Sequence, residues 1–111
     1  MKQIRVHFLP QFIAEHELAD RTVIVVDLLR ASTTIVAALA NGAREVWPAV
    51  EIEQTVAQAK KFSRQKILLG GERGGEQIEG YDVGNSPTEF TPDVVFMKGV
   101  VFKTTNGTRA I

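Results

Sequence analysis

Three stretches of this chain set an arginine among hydroxyl or glycine neighbours just after an apolar run: Asp27-Leu-Leu-Arg30-Ala-Ser-Thr-Thr34, Gly70-Gly-Glu-Arg73-Gly-Gly75 and Thr104-Thr-Asn-Gly-Thr-Arg109. Guanidinium groups pair with oxyanions in two-point fashion, and glycines let backbone approach a ligand closely. Ser32, Thr33 and Thr34 open a predicted helix, where free amides favour an anion; taken alone, capping explains them as well. Asp27 and Glu72 are carboxylates of the kind that hold a divalent cation, and Asp27 could equally accept a phosphoryl group. Gly74, Asn85, Ser86, Thr104, Thr105 and Asn106 add amides and hydroxyls to the same loops. The expectation is one small-anion site at which Arg30, Arg73 and Arg109 converge.

Such loops need strands to end on. Thr22–Val26 is a continuous β-branched run that predicts a strand covered on both faces, with Asp27 at its end. Ile4, Val6 and Phe8 alternate with polar residues and predict a strand with one wetter face. Arg44–Ala49, Lys66–Leu69 and Gly99–Lys103 predict further strands. Ser32–Ala40 predicts a helix, apolar almost all round and therefore well buried, and Glu51–Arg64 an amphipathic one. Gly70–Gly84 reads as irregular, closed by a Ser86-Pro-Thr-Glu89 capping box. Asn106-Gly107 suits a hairpin, but the flanking threonines favour a strand-to-helix phosphate turn. Strands alternating with helices imply an α/β fold: a mostly parallel sheet, helices on both faces, three layers, with ligands at the carboxyl ends of the strands.

The 111 residues allow one domain, with 44% apolar and 23% charged residues. Thirteen basic and thirteen acidic side chains cancel, so no global field draws nucleic acid or an anionic membrane. No run approaches the roughly 18 apolar residues of a membrane span, no signal core opens the chain, and a cytoplasmic protein is expected. Cysteine is absent, which excludes thiolate metal sites and cysteine nucleophiles. No Walker lysine and no Gly-x-Gly-x-x-Gly between strand and helix supports a nucleotide site. The last residues read as a helix about one turn long, which leads us to expect a fragment and, from uncovered apolar surface, self-association.

In order, Val26-Asp-Leu-Leu-Arg-Ala-Ser-Thr-Thr34, Gly71-Glu-Arg-Gly-Gly75, Ile78-Glu-Gly-Tyr-Asp-Val-Gly-Asn-Ser-Pro87 and Thr104-Thr-Asn-Gly-Thr-Arg109 resemble the signature blocks of the 2-phosphosulfolactate phosphatase family, over essentially the whole chain and over the amino-terminal half of the family's length. The resemblance implies a magnesium-dependent acid phosphatase that converts (2R)-phospho-3-sulfolactate to sulfolactate and phosphate, on the route to coenzyme M in methanogens. Its substrate carries phosphate, sulfonate and carboxylate, which suits three arginines. Asp27 and Glu72 would then hold Mg²⁺, with attack on phosphorus by an activated water or by Asp27 itself. A non-catalytic anion-binding module retaining the loops is the competing expectation.

Overall fold

The computed structural model describes residues 2–111. Its regular elements are α1 (Ala31–Ala40), β1 (Glu45–Ala49), α2 (Ile52–Ala59), β2 (Ile67–Arg73), β3 (Glu76–Gln77), α3 (Pro92–Val95), β4 (Gly99–Lys103) and α4 (Gly107–Ala110), with short 3₁₀ turns between some of them. The four-stranded sheet has the order β1-β4-β2-β3. β4 runs parallel to both neighbours, so that Ala49, Lys103 and Gly71 stand side by side at its carboxyl end. β3 returns antiparallel to β2 through Gly74 and Gly75, at φ 62° and 90°.

Central position explains the sequence of β4: a strand covered on both faces loses its polar alternation, and all of Gly99–Lys103 is buried. Val100 and Phe102 face one core with Leu68, Phe90, Val95, Ala31 and Ala38, under α1 and α3. Val101 faces the other with Ile67 and Ala49, under α2, Trp47 and Phe62. Trp47 and Phe62 stack at 4.8 Å, and Phe90 meets Phe102 edge to face at 5.9 Å. The mostly parallel α/β architecture with helices on both faces is as expected. Each fully buried Val, Ile or Phe contributes about 1.5–3 kcal/mol.

Several local expectations are corrected. Neither Ile4–Phe8 nor Thr22–Val26 forms a strand, and Ile24 is 83% exposed. A strand exists by pairing, and among the described residues these runs have no strand partner. Asp27 therefore sits in a turn leading into α1 rather than at a strand end. α1 buries only Ala31, Thr34 and Ala38; Val36 and Leu39 are exposed because just one side of the helix meets the sheet. β2 continues past Leu69 to Arg73, through the stretch read as irregular. Glycine permits this: Gly71, at φ 143°, lies flush against the Lys103 backbone, where a Cβ would collide with the carbonyl. α2 ends at Ala59, five residues early. α3 was not anticipated. The turn after β4, by contrast, leads into a helix as expected.

Candidate functional site

At the carboxyl ends of β2 and β4 the chain ties its loops together by hydrogen bonds. The Thr104–Thr108 turn is closed twice: Thr108 N–H donates to Thr104 Oγ1 at 3.1 Å, and Thr108 Oγ1–H to the Thr104 carbonyl at 3.2 Å. Glu72, at the end of β2, receives the Thr105 N–H on Oε1, and the Gly75 N–H (2.7 Å) and Thr105 hydroxyl (2.9 Å) on Oε2. Burial alone would raise the pKa of this carboxyl. The donors from Thr105 and Gly75, with the nearby Lys103 charge, outweigh burial and hold it below the ordinary carboxylate value. Glu72 is thus an anion that fastens the β2–β3 hairpin to the β4–α4 turn.

A second arm carries Asp27. Its backbone N–H donates to Ser32 Oγ at 3.2 Å, and the Ser32 N–H donates to its carbonyl at 3.1 Å. Thr33 Oγ1–H donates to the Leu28 carbonyl at 2.7 Å, so the turn entering α1 is pinned at both serine and threonine. A third arm carries Asn85: the buried Thr34 hydroxyl donates to its carbonyl at 2.9 Å, while the flanking Gly84 and Ser86 N–H groups both donate to Glu89. The Asn85 side chain is left with an unpartnered buried oxygen, Oδ1.

The arms meet. A cavity of about 80 Å³ takes its polar lining from Asp27, Arg30, Glu72, Asn85, Thr104 and Asn106, with Leu29, Ala31 and Gly107 as its apolar wall. A Cβ on Gly107 would lie 2.6 Å from Asp27 Oδ2 and 3.1 Å from Thr104 Oγ1, which shows how closely those oxygens approach. Two acidic residues and an asparagine lining one space are of the kind that suits a hard cation, and the arginine and threonine of the kind that suits an oxyanion beside it. Among the described residues no three His, Asp or Glu side chains cluster around a metal position. A larger hollow of about 350 Å³ under α2, lined by Trp47, Pro48, Ala49, Gln54, Gln58 and Val101, offers no ionisable group.

The remaining expected site residues lie around this cavity rather than on it. Ser32 and Thr33 serve the backbone; Gly74 N–H donates to Thr105 Oγ1 at 3.1 Å, and Thr105 is engaged by Glu72. Ser86 Oγ pairs with Thr88. Arg73 and Arg109 are exposed and do not line the cavity; Arg30, half-buried, does. Two residues escaped the sequence reading. Gly107 admits the Asp27 carboxylate. Lys103 is only 7% exposed, with its ammonium donating to the Thr104 carbonyl at 3.4 Å. A lysine closing an otherwise apolar buried strand was the available signal, since isolated charges are rarely buried.

The chain is similar to proteins already known. The family model described as 2-phosphosulpholactate phosphatase matches residues 7–111. A protein of Clostridium novyi (strain NT) is 50% identical over 99 residues, covering 89% of this chain and 42% of its own length. One from Caldanaerobacter subterraneus subsp. tengcongensis is 46% identical over 99 residues, covering 89% and 41%. One from Clostridium botulinum (strain Eklund 17B / Type B) is 42% identical over 100 residues, covering 90% and 42%. All three bear the name "Probable 2-phosphosulfolactate phosphatase". The chain spans about two-fifths of the length of the curated relatives it matches.

Proposed function

The chain belongs to the 2-phosphosulpholactate phosphatase family, and from that premise we propose that it carries the anion-binding and cation-binding core of a magnesium-dependent phosphatase acting on (2R)-phospho-3-sulfolactate, releasing sulfolactate and phosphate. The observation that supports this most strongly is the single cavity at which Asp27, Arg30, Glu72, Asn85, Thr104 and Asn106 meet from four separated segments. Cytoplasmic location and service to coenzyme M synthesis belong to the same proposal.

The residues present fit Mg²⁺, because the cavity joins two carboxylates to an unpartnered amide oxygen. Asp27 and Glu72 would hold the ion, which when bound neutralises charge on the transferring phosphoryl group. Arg30 pairs with the phosphate oxygens on the same side, in the position where developing charge is stabilised most. Thr104 and Asn106 orient the ester. Glu72 is poorly suited to act as a general acid: three donors and the Lys103 charge hold its pKa below the ordinary carboxylate value and favour the anion. Its work is to face a cation and to keep the hairpin closed on the site. Arg73 and Arg109, exposed on the segments beside Glu72 and Gly107, are proposed to meet the sulfonate and carboxylate that project beyond so small a cavity. The ester P–O bond breaks as water joins phosphorus, and the proton lost by water ends on the sulfolactate alkoxide.

Phosphate release from phosphosulfolactate, followed with and without a chelator, tests this. Turnover that survives chelation, or that Asp27→Asn leaves at the parent rate, refutes it. Phosphate binding without turnover identifies an anion-binding module instead. Borohydride reduction of Asp27 to homoserine during turnover would mark that residue as the nucleophile, through an aspartyl-phosphate.

A further inference from the structure

The proposed phosphatase reading counts the Asn85 amide toward the fit for a cation but gives that side chain no role of its own. Asn85 is 8% exposed, its Oδ1 is buried, and that oxygen has no hydrogen-bond partner. A buried acceptor without a donor costs about 1–3 kcal/mol, and native chains seldom leave one without a reason. The side chain is not there by slack in its loop. Its own carbonyl is held by the Thr34 hydroxyl and the amides on either side by Glu89, so the loop fixes where the amide goes.

Asn85 lines the same cavity as Asp27 and Glu72. Glu72 is met by its three donors, but Asn85 Oδ1 has none, and a donor or a cation is what would satisfy it. Arg30 does not fill that need: the ion pairs among the described residues are Arg44–Glu45 and Arg64–Asp82, and neither cavity carboxylate has one. About 80 Å³ is room for a cation and roughly two waters. An uncharged amide oxygen beside carboxylates is a common ligand for hard divalent cations, while soft metals prefer nitrogen or sulfur.

We infer that Asn85 Oδ1 is a direct ligand of the divalent cation, completing with Asp27 and Glu72 a three-oxygen protein site that binds the ion before substrate arrives. This inference rests on the cation reading of the proposed function but not on turnover, and it moves Asn85 from substrate contact to metal ligand. The site takes Mg²⁺ or Mn²⁺ and discriminates against Zn²⁺.

Electron paramagnetic resonance of free Mn²⁺, titrated into the substrate-free protein and competed with Mg²⁺, tests it. The expected result is one bound Mn²⁺ displaced by Mg²⁺, with Asn85→Ala weakening it about tenfold or more, the range that even outer-sphere partners command. Asn85→Asp, which substitutes a carboxylate oxygen, binds at least as tightly as the parent. The metal-free melting temperature of Asn85→Ala stays at or above that of the parent, since the substitution removes an unsatisfied acceptor. If Asn85→Ala binds Mn²⁺ like the parent while Asp27→Asn does not, the ligand role of Asn85 is overturned and the cation site stands. If the parent itself binds no Mn²⁺, both fall, and phosphate binding lost on Arg30→Ala would then show the anion half of the site surviving alone. A melting temperature lowered by Asn85→Ala with Mn²⁺ affinity unchanged assigns the residue to folding and also overturns the inference.

Discussion

Gly107→Ala is the substitution that most sharply couples packing to the site. The new methyl would lie 2.6 Å from Asp27 Oδ2, 3.1 Å from Thr104 Oγ1 and closer still to the Ala31 Cβ. Ordinary Cβ contacts begin near 3.4 Å, so the carboxylate must retreat by about 0.8 Å, the difference between 3.4 and 2.6 Å, and the first turn of α1 by more. Overpacking of that kind costs about 1–3 kcal/mol. Shifting a reacting group by ~1 Å can cost roughly 100-fold in rate. The two effects separate in a double variant. Ala31→Gly removes the least movable obstacle, at about 0.5–1 kcal/mol for a glycine in the helix, yet leaves the methyl against Asp27. Urea unfolding in chelator should therefore show Gly107→Ala destabilised and Ala31→Gly/Gly107→Ala partly recovered. Mn²⁺ affinity should fall in both. Gly107→Ala with parental stability and parental Mn²⁺ affinity would refute the placement of Asp27 against the β4–α4 turn.

Further outcomes follow from the same geometry. Glu72 has a folded-state pKa below the ordinary 4.5, so its contribution to stability is complete above that value and is lost as pH falls through the lower folded-state one. The unfolding free energy of Glu72→Gln from urea titration in chelator should fall below the parent's by about 2 kcal/mol at pH 7, and the gap should close in acid. Lys103→Met should move that acid limb to higher pH by removing the cation that favours the Glu72 anion, which carboxyl-detected NMR can follow directly. Arg30→Ala should weaken inorganic phosphate binding by roughly tenfold or more, the value of a charged hydrogen bond, whereas Arg73→Ala and Arg109→Ala should change it only slightly; calorimetry decides. Gly71→Ala should abolish cooperative unfolding, because its Cβ would collide with the Lys103 carbonyl at the heart of the β2–β4 ladder.

Much of the site could be read from residue types in order along the chain. Glu72, Arg30, Thr104 and Asn106 were legible because glycine, hydroxyl and arginine chemistry clusters in short loops, and because β4 is apolar enough to declare itself a central strand. Local pattern also settled the parallel α/β class, as alternating strands and helices admit few other arrangements. Pairing was another matter. Thr22–Val26 has every local mark of a buried strand and is none, for burial depends on a partner that composition cannot supply. Only the fold could show that Arg73 and Arg109 stand outside the cavity while Gly107 lines it. Which oxygens face one another is decided by register and by backbone contacts such as Gly107 on Asp27, made across dozens of residues, where sequence spacing carries no distance.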